Sequence, residues 1–300
     1  MVEDRLEPAL QAGHLSHEDI LEFFETCEEH GRQHVFLYLS KTRPFKPPTP
    51  AQISSFLKGR GAEVLLEHPE IVEMPAGPMV VDVRSDASGF TVKVVRTRET
   101  FVTRSSIIDN SGNQVVTNVP ERSRAVDVFR ARADGLLELR TSMHKNRVDY
   151  ADDVRLAWGA VSPLLDWSKF DELPLAVAKR QFLEDCRKPE VAEAFIFRHT
   201  LVRNQNSGTT MALGSRGPSA SLADDPVARR AVEDVLDRGT GAAEALLMRY
   251  KKMDAEPDDS DFGVEFNVRL GGKSNEFAIT ARCSRSVYDD ILSRILRANG

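Results

Sequence analysis

The sequence predicts a mixed α+β protein built on antiparallel sheet: N-terminal helices with a β meander, then a mixed helical domain with a β-hairpin and a C-terminal helix. Three observations carry that expectation. Between Pro78 and Ser142 the hydrophobic period is two, in runs separated by Ser, Asp, Asn and Gly turns. On either side, apolar residues recur at helical spacing. Fractions of 41% hydrophobic and 29% charged residues supply an ordinary globular core, which excludes wholesale disorder.

In chain order, SHEDILEFFETCEEHG reads as a helix capped by Ser16, with an apolar stripe of Ile20, Leu21, Phe23, Phe24 and Cys27 and a stop at Gly31. HVFLYLS, His34 to Ser40, is aromatic and branched enough for a strand, and the proline-rich KTRPFKPPTP then breaks regular structure. Thr49, Pro50, Ala51 and Gln52 fit a capping box, predicting a short helix that carries Ile53 to Leu57 and ends at Gly59. PMVVDVR, GFTVKVVRTRETFVTR, SIIDNSGNQVVTNV and the hairpin RSRAVDVFRARADGLLELRTS follow, a meander of about five to seven strands.

The chain's 300 residues exceed the usual single-domain size, and the pattern turns helical after Asp149. Two domains are expected, 1–149 and 150–300. YADDVRLAWGAVSPLL and ELPLAVAKRQFLEDC read as helices, and VAEAFIFRHTLVRN as a helix passing into a strand. QNSGTTMALGSRGPSASLADDP, rich in Gly and Ser, predicts a mobile loop near 204–224. DDPVARRAVEDVLDRG is a helix with Asp225 as cap, Pro226 at the first position and Gly239 as stop. A hairpin turns at Gly271 and Gly272, and SRSVYDDILSRILRA closes the chain as a helix burying Val287, Ile291, Leu292, Ile295 and Leu296.

A net charge of −6 argues against a protein that coats nucleic acid with its whole surface, so such contact needs a local patch. Three widely spaced cysteines, Cys27, Cys186 and Cys283, suit free thiols in a reducing compartment, hence a cytoplasmic location. The N-terminus is acidic where a signal peptide is basic, and no run approaches the roughly 18 apolar residues of a membrane span. A soluble protein with no membrane partner is expected.

The patch that qualifies is the hairpin around Asp134 and Gly135. With a two-residue turn, each face would mix charge and grease. With a three-residue loop of Ala133, Asp134 and left-handed Gly135, Arg130 faces Glu138, Phe129 faces Leu139 and Ala131 faces Leu137. One face is then Phe129, Ala131, Leu137 and Leu139, and the other presents Arg124, Arg130, Arg132 and Arg140 with Val126 and Val128. A half-buried sheet wants one dry side, which selects the three-residue loop. From Lys93 to Arg147, eleven cations stand against six acids, an excess of five within an anionic chain. Arg96 and Arg98 share parity with Phe90, Val92 and Val94, which predicts a twist or bulge in that strand. Arginine forks suit phosphate, so Arg124, Arg130, Arg132, Arg140, Lys145 and Arg147 are the candidate nucleic-acid contacts. The competing structural reading is a solvated charged face with Arg130 and Glu138 as a cross-strand pair.

Catalytic signatures are scarce. Asp127 with Glu138, Leu139 and Arg140 loosely resembles the layout of a restriction-type nuclease core, in which two carboxylates share a metal. The chosen register points Asp127 and Glu138 to opposite sides. Cys27, His30 and His34 have helical spacing for a soft metal, but Gly31 ends the helix before His34 and no fourth ligand is in view. Phosphate-loop, dinucleotide, nucleophile-elbow and zinc-protease motifs are not found in the sequence. The stretch with Ser207, Gly208, Thr209, Thr210, Gly214 and Arg216 has the residues to wrap a phosphate, although such density of Gly and Ser more often means flexibility. MDAEPDDSDFG, Met253 to Gly263, lacks calcium-loop spacing and reads as a solvated linker. The expectation is a non-enzymatic binding or regulatory protein, without metal or cofactor, whose basic sheet face meets nucleic acid or another anionic partner. The alternatives are a protein-interaction subunit of a complex and a metal-dependent nuclease using Asp127 and Glu138.

Overall fold

The computed structural model describes residues 13, 16, 27–42, 44–86, 89–108, 111–144, 149–217, 219–236, 241–251, 266–271 and 274–300. Among them the chain is mixed α+β, with eleven strands. No described helix is long and apolar enough to cross a membrane. All three cysteines are free and buried. Most of the expected first helix and the acidic stretch 253–263 lie outside the described residues.

The chain forms two compact units, residues 38–171 and residues 1–37 with 172–300. This differs from a single division at 149/150. The physical reason is that the helix following Asp149 packs on the preceding sheet instead of opening a new core.

Strand β1 (Gly31–Ser40) spans the 37/38 division. Gly31 stops the preceding helix as expected: its φ is +75°, and a Cβ there would sit 2.2 Å from the Ala281 carbonyl oxygen. In residues 38–171, α1 (Pro50–Lys58) carries the capping box, with Thr49 N donating to Gln52 Oε1 at 2.8 Å and Gln52 N to Thr49 Oγ1 at 3.3 Å. Strands β2 (Met79–Asp86), β3 (Gly89–Ile108), β4 (Gln114–Arg132) and β5 (Leu136–Ser142) then lie side by side in sequence order, each pair antiparallel. Helix α2 (Ala151–Val161) buries Val154, Ala157, Trp158 and Val161. Trp158 meets Phe129 edge-on, centroids 5.0 Å apart, so the dry face of the hairpin is the face α2 covers.

The meander has fewer and longer strands than expected. VVTNV and RSRAVDVFRAR are one strand, β4, which passes through Pro120 opposite Phe101. Proline is tolerated because β5 pairs β4 only from Asp127 onward, so among the described residues Pro120 sits where that edge of β4 has no neighbour. The strand carrying Arg96 and Arg98 does hold an irregularity: against β4 its pairing is regular from Gly89 to Thr103 and shifts at Arg104, and against β2 the register shifts between Val80 and Asp82, opposite Val94 and Lys93.

In residues 1–37 with 172–300, β6 (Phe170–Glu172) at the boundary leads to α3 (Ala176–Glu184), α4 (Pro189–Ala192), β7 (Phe195–Asn204), β8 (Thr210–Gly214), α5 (Pro226–Leu236), β9 (Gly241–Tyr250), β10 (Phe266–Leu270), β11 (Glu276–Arg282) and α6 (Arg285–Asn299). The strand order is β1, β11, β10, β9, β7, β8. β8 occupies part of 204–224, where a loop was expected, pairing Leu201 with Ala212 and Val202 with Met211. Asp225 caps α5 through Val227 N at 2.9 Å. α6 buries Tyr288, Ile291, Leu292 and Ile295, with Val287 and Leu296 half-buried.

Candidate functional site

The hairpin adopts the three-residue-loop register: Arg130 opposite Glu138, Phe129 opposite Leu139 and Ala131 opposite Leu137, with Gly135 at φ +92°. The face carrying the arginines is not open, however. Val126 and Val128 join Val81 and Val95 in a small apolar cluster that Val72 and Met79 cover. Met79 opens β2, and Val72 belongs to the proline- and glycine-containing stretch before it. The backbone of that stretch is pinned by Glu70 N to Val81 O at 2.8 Å, Thr97 Oγ1 to Pro75 O at 2.7 Å and Arg124 Nε to Val72 O at 2.7 Å.

Each candidate arginine is therefore placed as follows. Arg140, expected in solvent, is 1% exposed and donates through Nη2 and Nε to Glu138 Oε2 at 2.7 and 3.1 Å. A guanidinium so enclosed offers no donor to a phosphate in solution. Arg124 is half-buried, and Arg130 is half-buried opposite Glu138. Arg132 pairs with Asp134 at 2.7 Å. Lys145 and Arg147 lie outside the described residues. Asp127 sits opposite Thr141, on the face away from Glu138, so the two carboxylates do not converge on one metal. Among the described residues no three metal-ligating side chains gather; His34, for its part, contacts Glu276 through Nδ1 at 2.5 Å.

The α2 side of the sheet holds a polar cluster that the arginine count did not reveal. Arg96 Nε donates to Asp127 Oδ2 at 2.7 Å and Arg96 Nη1 to Asp153 Oδ1 at 2.7 Å. Arg98 Nη2 reaches Asp153 Oδ2 at 3.0 Å, and His144 Nε2 the same oxygen at 2.5 Å. Thr141 Oγ1 donates to Asp127 Oδ1, Arg98 Nη1 to the Ser142 carbonyl at 2.9 Å, and His144 N to Tyr150 Oη at 2.8 Å. Burial works to raise the Asp153 carboxyl, but the Arg96 and Arg98 guanidiniums and the His144 contact hold it below the usual carboxylate value. Burial pushes His144 down against its bond to Asp153, which keeps the imidazole neutral at neutral pH. Burial also lowers Arg98, whereas Asp127 and Asp153 outweigh burial and raise Arg96. The side chains are at most 10% exposed, so the cluster fastens α2 to β3, β4 and the end of β5 rather than meeting a substrate.

What does face water is the far half of β3 and β4. β2 stops pairing with β3 at Val95 and β5 with β4 at Asp127, so among the described residues the ribbon runs on with neither neighbour. Residues 101–108 and 114–118 are all exposed. Phe101, Ile107 and Ile108 are 63%, 61% and 76% exposed, and Val115 and Val116 44% and 45%. Register places Phe101, Val116 and Ile108 on one face and Val102, Val115 and Ile107 on the other, because the irregularity at Arg104 swaps the parity of β3. From Thr100 to Pro120 the sequence holds one cation, Arg104, and one anion, Asp109.

No protein-family profile matches this chain, and no curated protein matches it in sequence.

Proposed function

We propose that the chain is a non-enzymatic protein-interaction subunit, cytoplasmic as its free and buried thiols suggest, whose β3–β4 arm docks a protein partner through an apolar, uncharged contact surface. The observation that carries the reading is the concentration of exposed Phe101, Ile107, Ile108, Val115 and Val116 on a ribbon whose two edges pair with no other strand among the described residues. A two-stranded ribbon is marginally stable alone in water, and exposed apolar residues on an open edge invite pairing. Near-zero charge on the arm favours a protein over a nucleic acid, whose capture rests on cations. Among the described residues, the basic face's Arg124, Arg130 and Arg132 are half-buried, with Arg124 donating to Val72, Arg132 paired with Asp134 and Arg130 opposite Glu138.

The test is a photo-crosslinking amino acid at Ile107, with Val227, still more exposed but on α5, as control. The reading expects one discrete protein adduct from position 107 in cells that make the protein, not shared by position 227. The same adduct from both positions, or none from 107, rejects it.

A further inference from the structure

Within residues 1–37 and 172–300, a cavity of about 190 Å³ lies between α3, β7 and α5. Leu183, Phe197, Leu222, Val232 and Leu236 give it apolar walls. Cys186 also lines it, but burial pushes that thiol up, so it stays a neutral and weakly nucleophilic neighbour. The polar feature is Arg229, on α5. Its Nε is buried with no hydrogen-bond partner, and it makes no ion pair among the described residues. Arg229 as a residue is half-buried, but an enclosed Nε–H left unsatisfied is costly, so an acceptor for that one donor is missing from this wall.

Size narrows the acceptor. An apolar cavity of roughly 150 Å³ stays dry and takes benzene, so this one has room for one ring and a small substituent. Charge narrows it further: Glu184 and Glu233 line the cavity beside Arg187 and Arg229, and Glu184 is engaged by Arg180 at 2.6 Å. That balance tolerates one added negative charge and opposes two. We infer that the cavity binds a small aromatic monocarboxylate, its ring against Phe197, Val232 and Leu236 and its carboxylate on Arg229.

Calorimetric titration of the purified full chain with benzoate, benzyl alcohol and benzylamine tests this without any variant. Benzoate should bind about tenfold or more tightly than benzyl alcohol, as a charge-assisted bond to arginine implies, with benzylamine weakest. Arg229→Gln should bring benzoate down to the level of the alcohol while leaving the alcohol unchanged, and Arg187→Gln should alter neither. Ala228→Phe, which fills the cavity, should abolish both. Equal binding of benzoate and benzyl alcohol by the wild type, or no binding by any probe, overturns the inference. If Arg229→Gln does not fold, the wild-type ranking decides alone; if it folds and keeps the benzoate preference, the assignment of Arg229 is rejected.

Discussion

Replacing Asp153 with alanine removes the carboxylate that joins Arg96, Arg98 and His144, leaving two guanidiniums enclosed at 4% and 6% exposure with one fewer anion. Breaking a buried pair from one side costs about 3–5 kcal/mol, because the stranded charge keeps its desolvation penalty. At an unfolding entropy of about 2.1 cal/mol/K per residue, the residue 38–171 unit loses about 0.28 kcal/mol per degree, so the midpoint should fall by about 11–18 °C. Calorimetry resolves this as a shift of one transition, since the carboxylate's partners all lie in residues 38–171. A double-mutant cycle with Arg98→Met sharpens the test: removing the stranded cation should recover part of the loss, giving a coupling of about 1 kcal/mol or more. A shift of under about 2 °C for Asp153→Ala, or strict additivity in the cycle, refutes the claim that this cluster fastens α2 to the sheet.

Other consequences follow from the same contacts. His144 is held below its ordinary value of 6.5, so its contribution to stability is complete above that pH and is lost as pH falls through the lowered folded value. Asp153, also lowered, adds its own loss only below about 3.8, so urea midpoints should decline in two stages on acidification, and His144→Phe should erase the first. Thr49→Ala removes the hydroxyl that accepts from Gln52 N, while the backbone N–H at 49 can still donate to Gln52 Oε1, and should cost about 1 kcal/mol in chemical denaturation. Gly31→Ala meets both a left-handed backbone and the Ala281 carbonyl oxygen, and should lower stability by more than about 1 kcal/mol, whereas Gly61→Ala, with open space at its Cβ, should cost only the left-handed strain. Ile107→Asp with Ile108→Asp should leave stability within about 0.5 kcal/mol, since both residues are exposed.

Local chemistry was legible in the sequence wherever one residue type forces one geometry. Asp134 and Gly135 gave the hairpin register, Thr49 to Gln52 the cap, and Gly31 the helix stop. What escaped depended on distant segments. GAAEALLMRY is rich in helix formers, yet it is β9, because β7 and β10 pair it on both sides. The alternation of β4 showed two faces but not that the stretch around Val72 would cover the second. Arg96 and Arg98 shared parity with Val92 and Val94 because they do lie on the core face. Their apparent misfit was the signal for buried acids, and Asp127 and Asp153, on β4 and α2, answer it. Neither could be paired with them without knowing which elements pack together. The arm was concealed in the same way: VVTNV read as a separate strand until Pro120 proved to lie within a continuous one.

The central claim, that the arm is the docking element, is tested most directly by titrating the purified protein captured through position 107 against wild type and the Ile107→Asp, Ile108→Asp variant. Loss of two central apolar contacts should weaken binding by about thirtyfold or more, the scale of an interface hot spot, with little dependence on salt. An affinity within about twofold of wild type, or binding that collapses with added salt as phosphate contacts do, contradicts it.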